Sequence, residues 1–322
     1  MIKIYKIDSM NYTPFDPNFD QGDFEYLVSA GLSITENPKE ADLFAAYDTK
    51  KLKRFMLKNP FKKPILLWTN EPRLSQIKQH TYRPYWLLPK VNVMNVYTGE
   101  VFINNVTYQK KRFTTASALE LLPANFELDN KRVAALMSYY NAGRNSALFI
   151  DGVNIDLVRK RSEIGIYGHE NNLLDIFGKG WPAGMSKEDS RSGAWSNRKS
   201  ELLKEYHFNL CFENTVAPKY ITEKIWDSIQ NYCLPIYYGG APSTIYEIFP
   251  RESFIDYADY EDPKTLFQAI ASMTTAEFIG RMNACLNVYN QFAEKPAIFW
   301  QDSRKQVLDN IVNKCKVLTA TK

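Results

Sequence analysis

Histidine and cysteine are scarce in this chain of 322 residues, with three of the first (His80, His169 and His207) and four of the second. No histidine stands at ligand spacing from Cys211, Cys233, Cys285 or Cys315, and there is no C-x-x-C pair. This argues against a structural zinc site, a Ser-His-Asp triad and a disulfide framework, and it suits a reducing compartment. Cys211 and Cys233 lie inside apolar strand patterns and read as small core residues. No apolar stretch approaches the roughly 18 residues of a membrane span. The opening MIKIYKIDSM turns polar too soon for a signal peptide and reads as the first strand of a fold, so a cytoplasmic protein is expected. Charge of one sign is also lacking: a net +4 is too mild for a nucleic-acid binder. Neither a G-x-G-x-x-G fingerprint nor a Walker sequence occurs, which weakens a dehydrogenase or NTPase reading. The D-x-D loop of many metal-dependent sugar transferases is missing too. Its nearest counterpart, Asp259-Tyr260-Glu261, is better read as acidic capping of a helix beginning near Pro263.

What is present is ordinary globular composition, 45% apolar and 24% charged, over a length at which single cores tend to split in two. Strands are expected at 3–7, 41–47, 64–69 and 91–97, with a helix over 50–58 between two of them. Further strands are expected at 133–138, 164–167, 209–212, 235–238 and 254–257. Helices are expected at 154–161, 198–206, 220–231, 263–273 and 276–289. A last helix over 302–317 carries Val307, Ile311 and Val312 on one stripe. Such alternation implies mostly parallel, helix-covered sheets. The polar, proline-bearing stretch 122–132 marks the expected boundary, giving domains at 1–128 and 129–300 and a terminal helix over 301–322. The basic cluster Lys50, Lys51, Lys53, Arg54, Lys58, Lys62 and Lys63 fits a solvated helix face, the alternative being peripheral contact with an anionic membrane.

The run 208–238, FNLCFENTVAPKYITEKIWDSIQNYCLPIYY, is the most informative part of the chain. Phe208, Leu210 and Phe212 alternate as in a strand, and Glu213, Asn214 and Thr215 follow at its carboxyl end. Pro218 suits a first helical turn, where its missing N–H is no loss. Ile221, Ile225 and Ile229 repeat every four residues as the buried stripe of a helix, leaving Tyr220, Lys224 and Asp227 on another face. Ligands of open α/β sheets bind outside the carboxyl ends of the strands, and a helix N-terminus there favours anions. The segment therefore reads as a site for a phosphate-bearing ligand, with a lysine one to two turns into the helix able to reach the same anion.

FENT, then YITEK, then PIYYGG also closely resembles the signature of the α-1,3/4-fucosyltransferases, glycosyltransferase family 10, of bacterial type, over roughly thirty residues. The resemblance implies the α/β GT-B fold, two facing Rossmann-like domains with a C-terminal helix crossing back. The second domain would bind GDP-fucose, and the first would supply the acceptor side and the base. Carried over position by position, it assigns Asn214, Tyr220, Glu223 and Lys224 to the donor. SYYNAGRNSAL resembles the family's S-N-x-x-x-x-x-R-N-A stretch, so Arg144 matches its phosphate-binding arginine, although Tyr139 stands where the family has asparagine. DIFGKG, 175–180, resembles V-D-x-(F/Y)-G-K. WTNEP, 68–72, is a looser match to the region of the catalytic carboxylate, which would make Glu71 the general base.

On this resemblance the chain is an inverting transferase that needs no metal and no cofactor beyond its donor substrate, GDP-fucose. Its partner is an oligosaccharide acceptor, in the family usually N-acetylglucosamine of a lactosamine-type glycan. Beyond Glu71 the acceptor half shows little that aligns, and MNVYTGEVF differs from the eukaryotic stretch Y-R-x-D-S-D. Transfer of another GDP-sugar, or a catalytically silent sugar-binding module, stay open. Trp181 and Trp195, in a loop rich in serine and glycine, are placed to close over the donor.

Overall fold

The computed structural model describes residues 1–59, 63–69, 72, 81–84, 86, 88–95, 105–106, 109–139, 148–150, 152–189 and 195–320. Two six-stranded, mostly parallel sheets organise them, each in its own compact unit: Met1–Thr107 with Ile298–Lys322, and Tyr108–Ala297.

The first unit runs β1 (Ile2–Lys6), α1 (Gln21–Ser29), β2 (Leu32–Ile34), β3 (Leu43–Ala46), α2 (Thr49–Lys58), β4 (Ile65–Thr69), β5 (Thr81–Tyr82) and β6 (Val91–Asn95). The strand order is β2-β1-β3-β4-β6-β5, with β5 antiparallel to β6 and the other pairs parallel. All of β3 and β4 is buried, as expected of strands covered on both faces. Asp48 caps α2 by accepting from the amides of Lys50 and Lys51, and the helix buries Leu52 and Met56 against Phe44 and its neighbours. Lys63 does not belong to a solvated basic face: its ammonium donates to the carbonyls of Lys39 and Ala41, at 2.6 and 2.5 Å.

The second unit runs α3 (Lys110–Phe113), β7 (Val133–Leu136), the hairpin β8 (Phe149–Ile150) and β9 (Val153–Asn154), then α4 (Val158–Glu170), β10 (Leu174–Phe177) and β11 (Ser186–Glu188). It continues with α5 (Trp195–Leu203), β12 (Phe208–Leu210), α6 (Glu223–Gln230), β13 (Leu234–Tyr237), β14 (Ile255–Asp256), α7 (Pro263–Ser272) and α8 (Thr275–Ala293). The order β11-β10-β7-β12-β13-β14 is parallel throughout. The last helix, α9 (Ala297–Ala320), returns to the first unit. There Arg304 binds the buried carboxylate of Asp23, at 2.8 Å from Nε, and the Tyr26 hydroxyl donates to Asp309 at 2.5 Å. Val307, Ile311, Val312 and Cys315 form its buried stripe. Two helix-connected parallel sheets with a final helix restored to the first make the chain α/β, with the parts of a GT-B glycosyltransferase.

Three sequence expectations need correction. The stretch 164–167 is not a strand but the middle of α4, and the strand is β10, further on. Isoleucine and tyrosine favour strands locally, yet Gly165 and Gly168 let the helix approach its neighbours closely. A Cβ on Gly165 would stand 2.5 Å from Trp181, and one on Gly168 would stand 2.6 Å from Leu174 and 2.7 Å from Phe267. The units divide at Thr107 and Tyr108 rather than within 122–132. The reason is that the intervening chain is tied to α8. Asn290 exchanges two hydrogen bonds with the backbone of Leu119, and Asn283 two with that of Leu122, at 2.7 to 3.1 Å. Phe113 packs edge-on to Trp226 and Tyr289. Third, Asp262 rather than Asp259-Tyr260-Glu261 caps α7, in a capping box with Thr265, while Asp259 pairs with Arg251.

Candidate functional site

In the second sheet β10 lies on one side of β7 and β12 on the other, so strand order reverses between β7 and β12. The crevice outside their carboxyl ends is where such sheets hold ligands. The chain from Cys211 to Thr222 leaves β12 at this point and leads into α6.

Glu213 is the hub of that segment. It is 3% exposed, yet its carboxylate accepts four hydrogen bonds. Oε1 takes the Thr222 amide at 2.9 Å, the Thr222 hydroxyl at 2.7 Å and the Tyr237 hydroxyl at 3.3 Å. Oε2 takes the Lys224 ammonium at 2.8 Å. The same ammonium donates to Thr222 Oγ1 at 2.8 Å and lies 3.4 Å from Glu223 Oε1. Thr222 is the N-cap of α6 but makes no side-chain cap: its oxygen accepts from the Lys224 ammonium instead of a helix amide, and its hydroxyl hydrogen goes to Glu213.

Lys224 is thus the second helical residue, within the first turn. A cation there opposes the positive end of the helix dipole. Burial also works against its charge, but Glu213 and Glu223 outweigh it and raise its pKa. For Glu223, burial would push the carboxyl up, and the cations Lys224 and Lys199 hold it down to about 2. Burial, then the nearby Glu213 charge, pushes the Tyr237 phenol well up, so it remains a donor.

The helix is registered from several sides. Asn209, on the opposite face of β12 from Phe208 and Leu210, donates to Ser228 at 2.6 Å, and Ser228 donates to the Lys224 carbonyl at 3.1 Å. Asp227 binds Lys199 of α5 at 2.5 Å and also binds Arg112 of α3. Ile225 and Ile229 are fully buried and Ile221 is 2% exposed, as the four-residue repeat requires. On the loop, the Leu157 amide bonds to the Asn214 carbonyl at 3.0 Å and the Val216 amide to that of Ile155 at 2.9 Å, tying it to the start of α4.

Of the residues expected from the sequence, Lys224 and Glu223 come together with Glu213, while Tyr220 is buried with its hydroxyl 3.4 Å from Asn214 Oδ1. Glu71 follows β4 and Arg144 follows β7, and both lie outside the described residues. Pro218 is not helical. Lys219 takes a left-handed φ of 59° and donates its amide to Thr244, so the helix starts only at Glu223. Trp181 is held in place rather than free to close over a ligand: its indole N–H donates to the Met137 carbonyl at 2.8 Å and its ring fills the notch at Gly165. Among the described residues no His/Cys/Asp/Glu cluster is disposed to hold a metal, and no helix is long and apolar enough to cross a membrane.

Sequence reasoning missed Glu213 and Asn209 as the side chains that brace α6. The signal was available: parallel strands covered on both faces read as apolar runs, so a polar side chain among them must have a buried partner.

The profile of glycosyltransferase family 10 (fucosyltransferase), C-terminal part, matches residues 157–320. A 4-galactosyl-N-acetylglucosaminide 3-α-L-fucosyltransferase of Pongo pygmaeus is 36% identical over 74 residues, 23% of this chain and 21% of that protein. The α-(1,3)-fucosyltransferase of Helicobacter pylori is 44% identical over 64 residues, 20% of this chain and 13% of that one. The matched stretches therefore span no more than 21% of these relatives. A solved α1,3-fucosyltransferase with GDP-fucose covers 91% of this chain and 90% of its own at 16% identity, with a TM-score of 0.46.

Proposed function

Because the chain belongs to glycosyltransferase family 10, that of the fucosyltransferases, we propose that it moves L-fucose from GDP-β-L-fucose to a hydroxyl of an oligosaccharide, the 3-hydroxyl of N-acetylglucosamine in a lactosamine-type glycan. The observation that carries this reading is the Lys224 ammonium, held by Glu213 and Thr222 in the first turn of α6 at the switch-point crevice. A cation so fixed, in the first turn of a helix at that crevice, suits a diphosphate.

In the reaction the bond between fucose C1 and the β-phosphate oxygen breaks, and its electron pair leaves with GDP. Lys224, together with Arg144, offsets the growing charge, an effect worth a few kcal/mol per well-placed donor. The acceptor oxygen bonds to C1 from the opposite face, which inverts the anomeric centre, and Glu71 takes the hydroxyl proton. Positioned proton removal contributes roughly 10² to 10⁴-fold. Glu223, ionised at neutral pH with its carboxyl held near about 2, can only accept, and so suits the hydroxyls of ribose or fucose. Asn214 and Tyr220 complete the donor side.

The test is a thermal-shift series with GDP, UDP, CDP and their sugars. GDP and GDP-fucose should stabilise the protein, by about 2.7 kcal/mol at a hundred times the dissociation constant. Equal shifts with UDP-glucose would overturn the donor, and a shift with GDP but no transfer to any lactosamine acceptor would leave only a binding module.

A further inference from the structure

The Lys224 ammonium has three N–H groups. One is taken by Glu213 Oε2 at 2.8 Å and one by Thr222 Oγ1 at 2.8 Å, while among the described residues the third has only a long hydrogen bond to Glu223 Oε1, at 3.4 Å. The first two contacts are coupled, because Thr222 Oγ1 can accept from Lys224 while donating its own hydrogen to Glu213 Oε1. The carboxylate at the root of this chain is buried, and both of its oxygens are occupied. A flexible lysine in the first turn would otherwise swing away from the positive helix end. We infer that Glu213 is a positioning residue for Lys224: with Thr222 it holds the ammonium in place so that the third N–H, held only by the long bond to Glu223, can turn to the diphosphate of the donor.

This rests on the donor reading above and adds to it a residue that touches no substrate. Capping α6 does not explain why this position needs a charge. A glutamine amide oxygen could take the same three donors that Oε1 takes, namely the Thr222 amide and hydroxyl and the Tyr237 hydroxyl. Only the contact of Oε2 with Lys224 requires a carboxylate. In Glu213→Gln an amide NH₂ would face the ammonium there, and Lys224 would be released while the start of the helix kept its bonds.

The experiment is a double-mutant cycle read by calorimetry with GDP and with guanosine, which has no diphosphate. Glu213→Gln and Lys224→Met should each weaken GDP about tenfold. The double variant should be no weaker than either single one, because the two residues act as one unit. Guanosine affinity should not change, a result that general loosening of the fold would not give. GDP binding by Glu213→Gln as tight as wild type or tighter, or additive losses in the double variant, would overturn the inference while leaving the donor reading intact. Failure of the wild type itself to bind GDP would remove both. Should Glu213→Gln not fold, Thr222 decides: Thr222→Val should weaken GDP about threefold and Thr222→Ser should restore it, whereas equal affinity in the two would overturn the inference.

Discussion

On either side of β7 in the second sheet a carboxylate is buried, Asp175 in β10 and Glu213 just past β12, and the two are used differently. Asp175, in β10, is 4% exposed and binds Arg132 at 2.7 Å, Lys187 at 2.8 Å and the Tyr206 hydroxyl at 2.7 Å. Glu213, past the end of β12, is as deeply buried and as fully bonded. The number of hydrogen bonds, three at Asp175 and four at Glu213, does little to tell them apart. The cations do. Those of Asp175 come from the edge of β7 and from β11, where no helix end opposes them, and together with Asp175 they tie neighbouring strands. Lys224 stands in the first turn of a helix, against its dipole, and is kept there by two carboxylates. Packing alone would not select a lysine at that position, so its presence points to a ligand.

A general base has to contrast with both carboxylates, because it needs an oxygen open to the acceptor hydroxyl, whereas both oxygens of Asp175 and of Glu213 are already occupied. The largest effect is therefore expected at Glu71. Glu71→Gln should lower transfer by roughly two to four orders of magnitude and leave GDP affinity unchanged. Turnover and calorimetry measured on the same two proteins check it. Near-wild-type transfer would remove Glu71 from the mechanism, and loss of GDP binding would make it structural.

The next effect sharpens the cation side of the comparison. Arg144→Ala should weaken GDP about a hundredfold, as expected when a bidentate partner of a diphosphate is lost, without shifting the thermal midpoint of the free protein. An unchanged dissociation constant would exclude Arg144 from the site. On the other side of β7 the pattern should reverse. Asp175→Asn should cost about 2 kcal/mol of stability, which is a fall of roughly 4–8 °C in the unfolding midpoint for a unit of this size, with GDP affinity intact. If instead it weakened GDP binding and spared stability, the division between a structural node and a ligand node would fail.

Much of this contrast was legible before the structure. The four-residue repeat of Ile221, Ile225 and Ile229 gave α6, although the helix starts at Glu223, and alternation gave β12, although the strand ends at Leu210 rather than Phe212. What was hidden depended on partners distant in sequence. Nothing local in 164–167 shows that Trp181, Leu174 and Phe267 fill the space above two glycines, so residues that favour strands were misread. α1 was missed because its buried positions include the charged Asp23, whose partner Arg304 lies in the last helix. Glu213 could be seen as an acid in an apolar run, but its role required Thr222 and Lys224 to fold back onto it.

The smallest expected effect concerns acid. Burial alone would raise the Asp175 carboxyl, yet its bonds to Arg132, Lys187 and Tyr206 hold it at about 2, below the ordinary 3.8. A carboxylate with a lowered folded-state pKa adds stability that is complete above its unfolded pKa and is lost as pH falls through the folded one. The contribution of Asp175 should therefore be whole at pH 5 and above, decline from about pH 4, and be mostly gone near pH 2. Asp175→Asn lacks that titration. Urea unfolding of both proteins between pH 6 and pH 3 should show a gap in midpoint that narrows towards acid, because protonation makes the wild-type side chain resemble asparagine. Other carboxylates that titrate in this window, Glu223 among them, move both proteins alike and cancel in the difference. A gap that stayed constant down to pH 3 would mean that the charge of Asp175 contributes nothing beyond its shape, and the physical basis for separating it from Glu213 would be lost.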